Sequence, residues 1–196
     1  MPIDIRPLTP ERILDLAELF GQGGDPKWCW CSYFRVRGRD WTNATAEQNR
    51  AVLTQATNDD AGEGRAPGLI AYDGDAAVGW VSVGPREDYE RLAFSRTLAP
   101  LDDTPVWSIV CFVVGRRSRG HGVANALLEA AIAYGREHGA TTLEAYPVDV
   151  VAGQRIPSAN AYHGTLSMFE RAGFTVAERR QANKVSPVRP IVRLTL

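Results

Sequence analysis

Sulfur and imidazole are scarce in this chain: three cysteines, two methionines and three histidines in 196 residues. Cys29-Trp30-Cys31 has the wrong spacing and too few partners for a structural zinc site. Cys111 falls in an apolar run, where a cysteine reads as a small buried side chain. Neither a metal nor a disulfide is expected. Charge imbalance is missing too. Lys plus Arg number 22 against 23 Asp plus Glu, so the net charge of −1 sets up no global attraction for nucleic acid or a membrane. No apolar run is long enough to span a bilayer, and no apolar leader opens the sequence. These absences point to a soluble, cytoplasmic protein. The length suits one domain, residues 1–196, with a single sizeable core.

What is present is organised around Val106 to Asp149. Val106-Trp107-Ser108-Ile109-Val110-Cys111-Phe112-Val113-Val114 is β-branched, aromatic and too apolar for a half-exposed edge, which predicts a buried central strand. Val123, Ala124, Leu127, Leu128, Ala131 and Ile132 recur at helical spacing, and Gly139 sits where a helix ends. A second apolar run covers Thr142 to Val148. The order strand, turn, helix, strand predicts a crossover unit in one sheet.

The turn between them, Gly115-Arg116-Arg117-Ser118-Arg119-Gly120-His121-Gly122, carries the chemistry. A helix start leaves amides unpaired and favours an anion. Gly120 and Gly122 have no Cβ to keep a phosphate off the backbone, and three arginines add charge. On the turn alone an ordinary basic turn is the better reading, since glycine motifs are common. The residues resemble something more specific. Arg117-Ser118-Arg119-Gly120-His121-Gly122 matches the Arg/Gln-x-x-Gly-x-Gly/Ala signature of the GNAT acetyltransferase superfamily. Phe169-Glu170-Arg171-Ala172-Gly173-Phe174 is similar to that family's Tyr-Glu-Lys-x-Gly-Phe segment. The resemblance spans about Val106 to Phe174. It implies an α/β (α+β) fold: one mixed, mostly antiparallel twisted sheet of six to seven strands, flanked by helices and splayed at its central strands.

Elsewhere the patterns are local. Ile3 to Leu8 alternates as a strand, and Thr9-Pro10-Glu11 reads as a helix start. Thr45 to Asp59 reads as a helix. Leu69 to Tyr72 and Ala77 to Val83 read as a hairpin around Asp73-Gly74. A short helix over Gly164 to Arg171, a strand over Phe174 to Glu178 and a last alternating strand over Pro190 to Leu196 follow. Gly23 to Arg39 reads as a loop holding Trp28, Trp30, Tyr33 and Phe34. It is either packing over the sheet's open end or a wall of a substrate cleft, with base stacking a weaker third reading.

The resemblance implies acetyl-coenzyme A as cosubstrate and an amine as acceptor. The diphosphate would rest on Arg117, Ser118, Arg119, Gly120, His121, Gly122 and Val123. Pantetheine would pair with backbone near Phe112, Val113 and Val114. The sequence departs from the family at three catalytic places. The central strand has no glutamate, the family's acid tyrosine falls at Phe169, and its asparagine falls at Tyr162. Replacement bases are Glu87, Asp149 and Glu144; replacement acids are Tyr162 and Ser167. Trp28, Trp30 and Tyr33 are candidates for acceptor binding, and Arg86 for a substrate carboxylate. The family's common roles lean the acceptor toward an amino sugar or aminoglycoside-type antibiotic, which the aromatic loop and the acids Asp25, Asp40, Glu87, Asp102 and Asp103 would hold. A protein or amino-acid acceptor, a non-catalytic acyl-coenzyme A sensor and a nucleotide-binding module remain as alternatives. The expected protein is a monomer or homodimer, with no nucleic-acid or membrane partner.

Overall fold

A computed structural model describes residues 3–150, 162–186 and 188–196. Seven strands form one sheet: β1 (Asp4–Pro7), β2 (Gly68–Asp73), β3 (Ala76–Pro85), β4 (Trp107–Val114), β5 (Thr142–Ala145), β6 (Thr175–Arg180) and β7 (Arg189–Thr195). The order across the sheet is β1-β2-β3-β4-β5-β7-β6. Every pairing is antiparallel except β4 with β5. Parallel neighbours need a long crossover. Here it is α6 (Val123–Glu137), which buries Val123, Leu127, Leu128, Ala131, Tyr134 and Gly135. The other α-helices among the described residues are α1 (Ile13–Gly21), α2 (Pro26–Cys29), α3 (Gly38–Thr42), α4 (Ala46–Gly62), α5 (Glu90–Phe94) and α7 (Leu166–Arg171).

Each face of the sheet has its own core. Leu16, Phe20, Trp30, Phe34 and Leu53 pack with Trp80, Val110 and Cys111 on one face. Leu127, Leu128, Ala131 and Phe169 pack with Val81, Ile109, Phe112 and Leu143 on the other. Strict alternation would send Val110 and Cys111 to opposite faces. They share one because Ser82 pairs with Cys111 while Val83 pairs with Ile109, leaving Val110 as the extra residue of a bulge.

β5 is shorter than the apolar run predicts. It stops at Ala145, and β4 pairs with it only over Trp107, Ser108 and Ile109. Beyond Ile109 the two strands part. The short paired half is tied by Glu144, which is 0% exposed. Its Oε1 accepts from Arg86 at 2.5 Å and from the Tyr146 hydroxyl at 2.8 Å, and its Oε2 accepts from Arg193 at 2.8 Å. Arg86 also donates to the carbonyls of Leu92 and Leu98. Glu144 is therefore withdrawn as a base, and Arg86 as a ligand for a substrate carboxylate, since each is consumed in holding strands together.

Local signals account for most boundaries. Thr45 and Gln48 form a reciprocal cap at α4, Thr45 Oγ1 accepting at 3.2 Å and Gln48 Oε1 at 2.7 Å. Thr9 does not cap: its side chain makes no such bond, and a 3₁₀ turn over Pro10–Arg12 leads into α1. The segment expected as a loop, 23–39, contains short helical pieces: α2, a 3₁₀ turn at Ser32–Phe34 and the start of α3.

Removing one member of a buried ion pair leaves its partners uncompensated. Glu144→Ala is expected to lose about 3 kcal/mol or more in urea unfolding, with the slope of the transition unchanged. A loss under about 1 kcal/mol would show that the network contributes little.

Candidate active site

The parted half of β4 borders a cleft of about 1260 Å³. One end is lined by Val113, Val114, Gly115, Arg116, Arg119 and Ala124. Much of the remaining lining is aromatic: Trp28, Tyr33, Phe34, Trp41 and Tyr162, beside Cys31 and Cys111.

Backbone parity decides which amides face the gap. Gly115 N–H donates to Val78 on β3 at 2.9 Å, whereas Phe112 N–H donates away from β3, to the Tyr162 carbonyl, at 2.7 Å. Val114 shares the parity of Phe112, so its amide also faces the gap. Arg119 Nε donates to the Val114 carbonyl at 3.2 Å, which pins the turn to the strand end. The first bond of α6 runs from Ala126 N–H to Gly122 C=O at 3.0 Å. The amides of Val123, Ala124 and Asn125 therefore have no partner within the helix. Gly120 and Gly122 sit at φ +79° and +82°, where other residues are strained, and a Cβ on either would meet nothing within 4 Å. Arg117 and Ser118 lie in a 3₁₀ turn (Arg116–Ser118), His121 is exposed, and Val123 is buried as the first residue of α6.

The other sequence candidates scatter. Glu87 is exposed on a 3₁₀ turn after β3 and does not line the cleft. Asp149 pairs with Arg179 at 2.5 Å on the surface. Ser167 is exposed, its hydroxyl 3.2 Å from that of Thr165, the cap of α7. Trp30 turns inward at φ +47° and is 7% exposed, so it packs in the core instead of lining the cleft. Trp28, Tyr33 and Tyr162 do line it. Burial pushes the Tyr162 hydroxyl up, so it keeps its proton through the working range. The position matching the family's tyrosine, Phe169, is 0% exposed and packs on Phe112 and Phe174, which explains why an apolar ring occupies it.

Sequence reasoning missed three features. Trp41 lies two residues past the aromatic segment as it was bounded, and only the fold brings it against Trp28 (ring centroids 4.7 Å) and Tyr33 (5.2 Å). The Cys31 and Cys111 sulfurs meet at 2.9 Å although 80 residues separate them. Asp25, one acid among five in the sequence argument, is the single carboxylate that lines the cleft among the described residues.

The family model for the Acetyltransferase (GNAT) family matches residues 28–174. The chain belongs to the GNAT acetyltransferase family. It is an acetyl-coenzyme A-dependent N-acetyltransferase. No curated protein matches it. Solved structures share the fold at low identity. A mosquito arylalkylamine N-acetyltransferase-like protein superposes with a TM-score of 0.62 at 12% identity, covering 100% of both chains. A polyamine N-acetyltransferase of Drosophila melanogaster gives 0.57 at 12%, again over 100% of both chains. The PaiA N-acetyltransferase of Thermoplasma acidophilum, solved with coenzyme A, gives 0.55 at 13% over 100% of both.

Behind the cleft wall, His163 is 6% exposed and stacks on Tyr162 at 4.0 Å. Burial, aided by the charge of Arg189, holds its pKa well below the ordinary value. The folded state therefore favours neutral His163. That contribution is present above about pH 6.5 and is lost as the pH falls toward the depressed value. Thermal unfolding should show stability declining below about pH 6.5, and His163→Gln should flatten the decline. An equal decline in both would assign it to other groups.

Proposed function

We propose that this protein acetylates a primary amine on a small molecule by direct attack in a ternary complex. The observation that carries the reading is the coincidence, in one cleft, of an unpaired strand edge, a helix start and an aromatic wall. The residues fit acetyl-coenzyme A. Val113 and Val114 line the gap where pantetheine would lie. Arg117 to Val123 would hold the diphosphate against free amides with room for it. When bound, the cosubstrate supplies an activated acetyl thioester.

The chain's own groups then have distinct tasks. The Val114 amide donates into the gap, as does that of Phe112 once the Tyr162 carbonyl yields it. A donor so placed favours an oxygen that gains negative charge. Tyr162, protonated and facing the cleft, supplies a proton to the leaving sulfur. Asp25 accepts the ammonium proton, directly or through water, in place of the glutamate that β4 lacks. Most of the acceleration comes from holding two reactants together in the cleft. The amino-sugar lean loses support because its acids do not gather. Asp40 borders a separate hollow, Asp102 pairs with Arg193 at 2.7 Å, and Asp103 and Glu87 do not line the cleft.

Gly120→Asp puts a carboxylate on the phosphate turn. Calorimetry is expected to show acetyl-coenzyme A affinity falling at least tenfold, about 1.4 kcal/mol, while the melting transition persists. Unchanged affinity would move the cosubstrate elsewhere. Tyr162→Phe is expected to cut kcat about a hundredfold, within the range for a general acid, with little change in the KM for acetyl-coenzyme A. Phe169→Tyr should lower stability by about 1–3 kcal/mol through a hydroxyl added to a filled site, without a gain in rate.

A further inference from the structure

The aromatic part of the cleft is held by contacts from several elements. Trp28 and Trp41 meet edge to face with centroids 4.7 Å apart, and Tyr33 meets Trp41 the same way at 5.2 Å. Arg91 lies 4.1 Å over the Tyr33 ring and 5.7 Å over that of Trp41, and its guanidinium donates to the carbonyls of Tyr33 and Val36 at 2.6 Å each. From α4, the Asn49 side chain donates to the Trp28 carbonyl at 3.0 Å, and the Asn49 main-chain carbonyl accepts from Ser32 at 2.7 Å. The rings are thus held from two sides before any ligand arrives. Trp28 remains 41% exposed, a large ring left partly open at the cleft mouth.

Charge on this wall is sparse. Asp25 is the one carboxylate lining the cleft among the described residues. The lining arginines, Arg116 and Arg119, belong to the phosphate turn at the other end. A single carboxylate matches a single ammonium. It does not match the several charges of a polyamine or an aminoglycoside. An amino-acid acceptor would need a cation for its carboxylate, and Arg86 is engaged with Glu144, Tyr146 and backbone carbonyls. Preformed aromatic faces favour a flat apolar body, which stacks or meets them edge on.

We infer that the acceptor is a monoamine carried on an aromatic ring, the ring lying against Trp28, Tyr33 and Trp41 and the nitrogen directed toward β4. This rests on the acetyl-transfer reading and names the substrate class for it. The amine nitrogen bonds to the acetyl carbon, the carbon–sulfur bond breaks, the electron pair leaves on sulfur, and the nitrogen's proton passes to Asp25 or water.

The test compares coenzyme A release with 2-phenylethylamine, hexylamine, spermidine, kanamycin and lysine. It also follows tryptophan fluorescence during titration with 2-phenylethylamine, which reads binding without turnover. The expected kcat/KM for 2-phenylethylamine is at least tenfold above hexylamine and a hundredfold above the others. Trp28→Ala should raise the KM for 2-phenylethylamine at least tenfold and shift the fluorescence titration equally, with Trp28→Phe restoring both. The KM for acetyl-coenzyme A should stay within twofold. A preference for spermidine, kanamycin or lysine, or parity with hexylamine, overturns the inference while leaving acetyl transfer intact. No release with any amine, together with an unchanged fluorescence, also overturns it. The acetyl-transfer reading itself fails if calorimetry finds no binding of acetyl-coenzyme A, and binding without release for any amine would favour the non-catalytic sensor instead.

Discussion

Everything at the site depends on β5 ending early. Three paired residues hold β4 and β5 together, and then the strands separate. A parallel pair left open beyond Ile109 exposes hydrogen-bonding groups that a continued sheet would have satisfied, and such groups are costly unless something takes them up. The Tyr162 carbonyl takes one of them. The opening lies at the end of β4 that runs into the turn and α6, so the free strand edge and the free helix amides meet in one cleft. The Glu144 network explains why the split stops where it does. Arg86, just after β3, and Arg193, from β7, converge on one buried carboxylate of β5. The half of the sheet below the split is clamped, and the half above is left to open.

The parts of this arrangement that a sequence reveals are those written in consecutive residues. The dense apolar run of β4, the helical spacing of α6, the Asp73-Gly74 turn and the Thr45 cap each depend on a few neighbours in the chain. They appear in the structure close to where their patterns place them. The two glycines of the turn belong to the same class, since positive φ is a local demand. Glu144 shows the opposite case. Nothing in Thr142 to Ala145 says that its alternate position will be enclosed by arginines 58 residues before it and 49 after it. Arg86 was misplaced for the same reason. Trp30 and Trp28 look equivalent in sequence, yet left-handed conformations at Trp30 and Cys31 turn one ring inward and leave the other at the cleft. The 23–39 segment hid its helices because each is a turn or so long, too short to show a period.

Losing a glutamate from the central strand changes how the amine must lose its proton. An ammonium has to become neutral before it can attack, and two features of the cleft act on that equilibrium in opposite directions. Asp25 favours the charged form, but it is exposed, and an exposed pair contributes only about 0–1 kcal/mol. Rings that exclude water disfavour the charged form, and desolvation of this kind can move a pKa by up to about 3–5 units when it is complete. Trp28 is 41% exposed, so burial there is partial and the full shift does not apply, and the ring faces themselves attract a cation. On the proposed reading, an amine brought into the cleft still needs an acceptor for its proton. A nearby carboxylate has to receive it. On that reading, one exposed carboxylate beside an aromatic wall takes the place of the glutamate that β4 lacks.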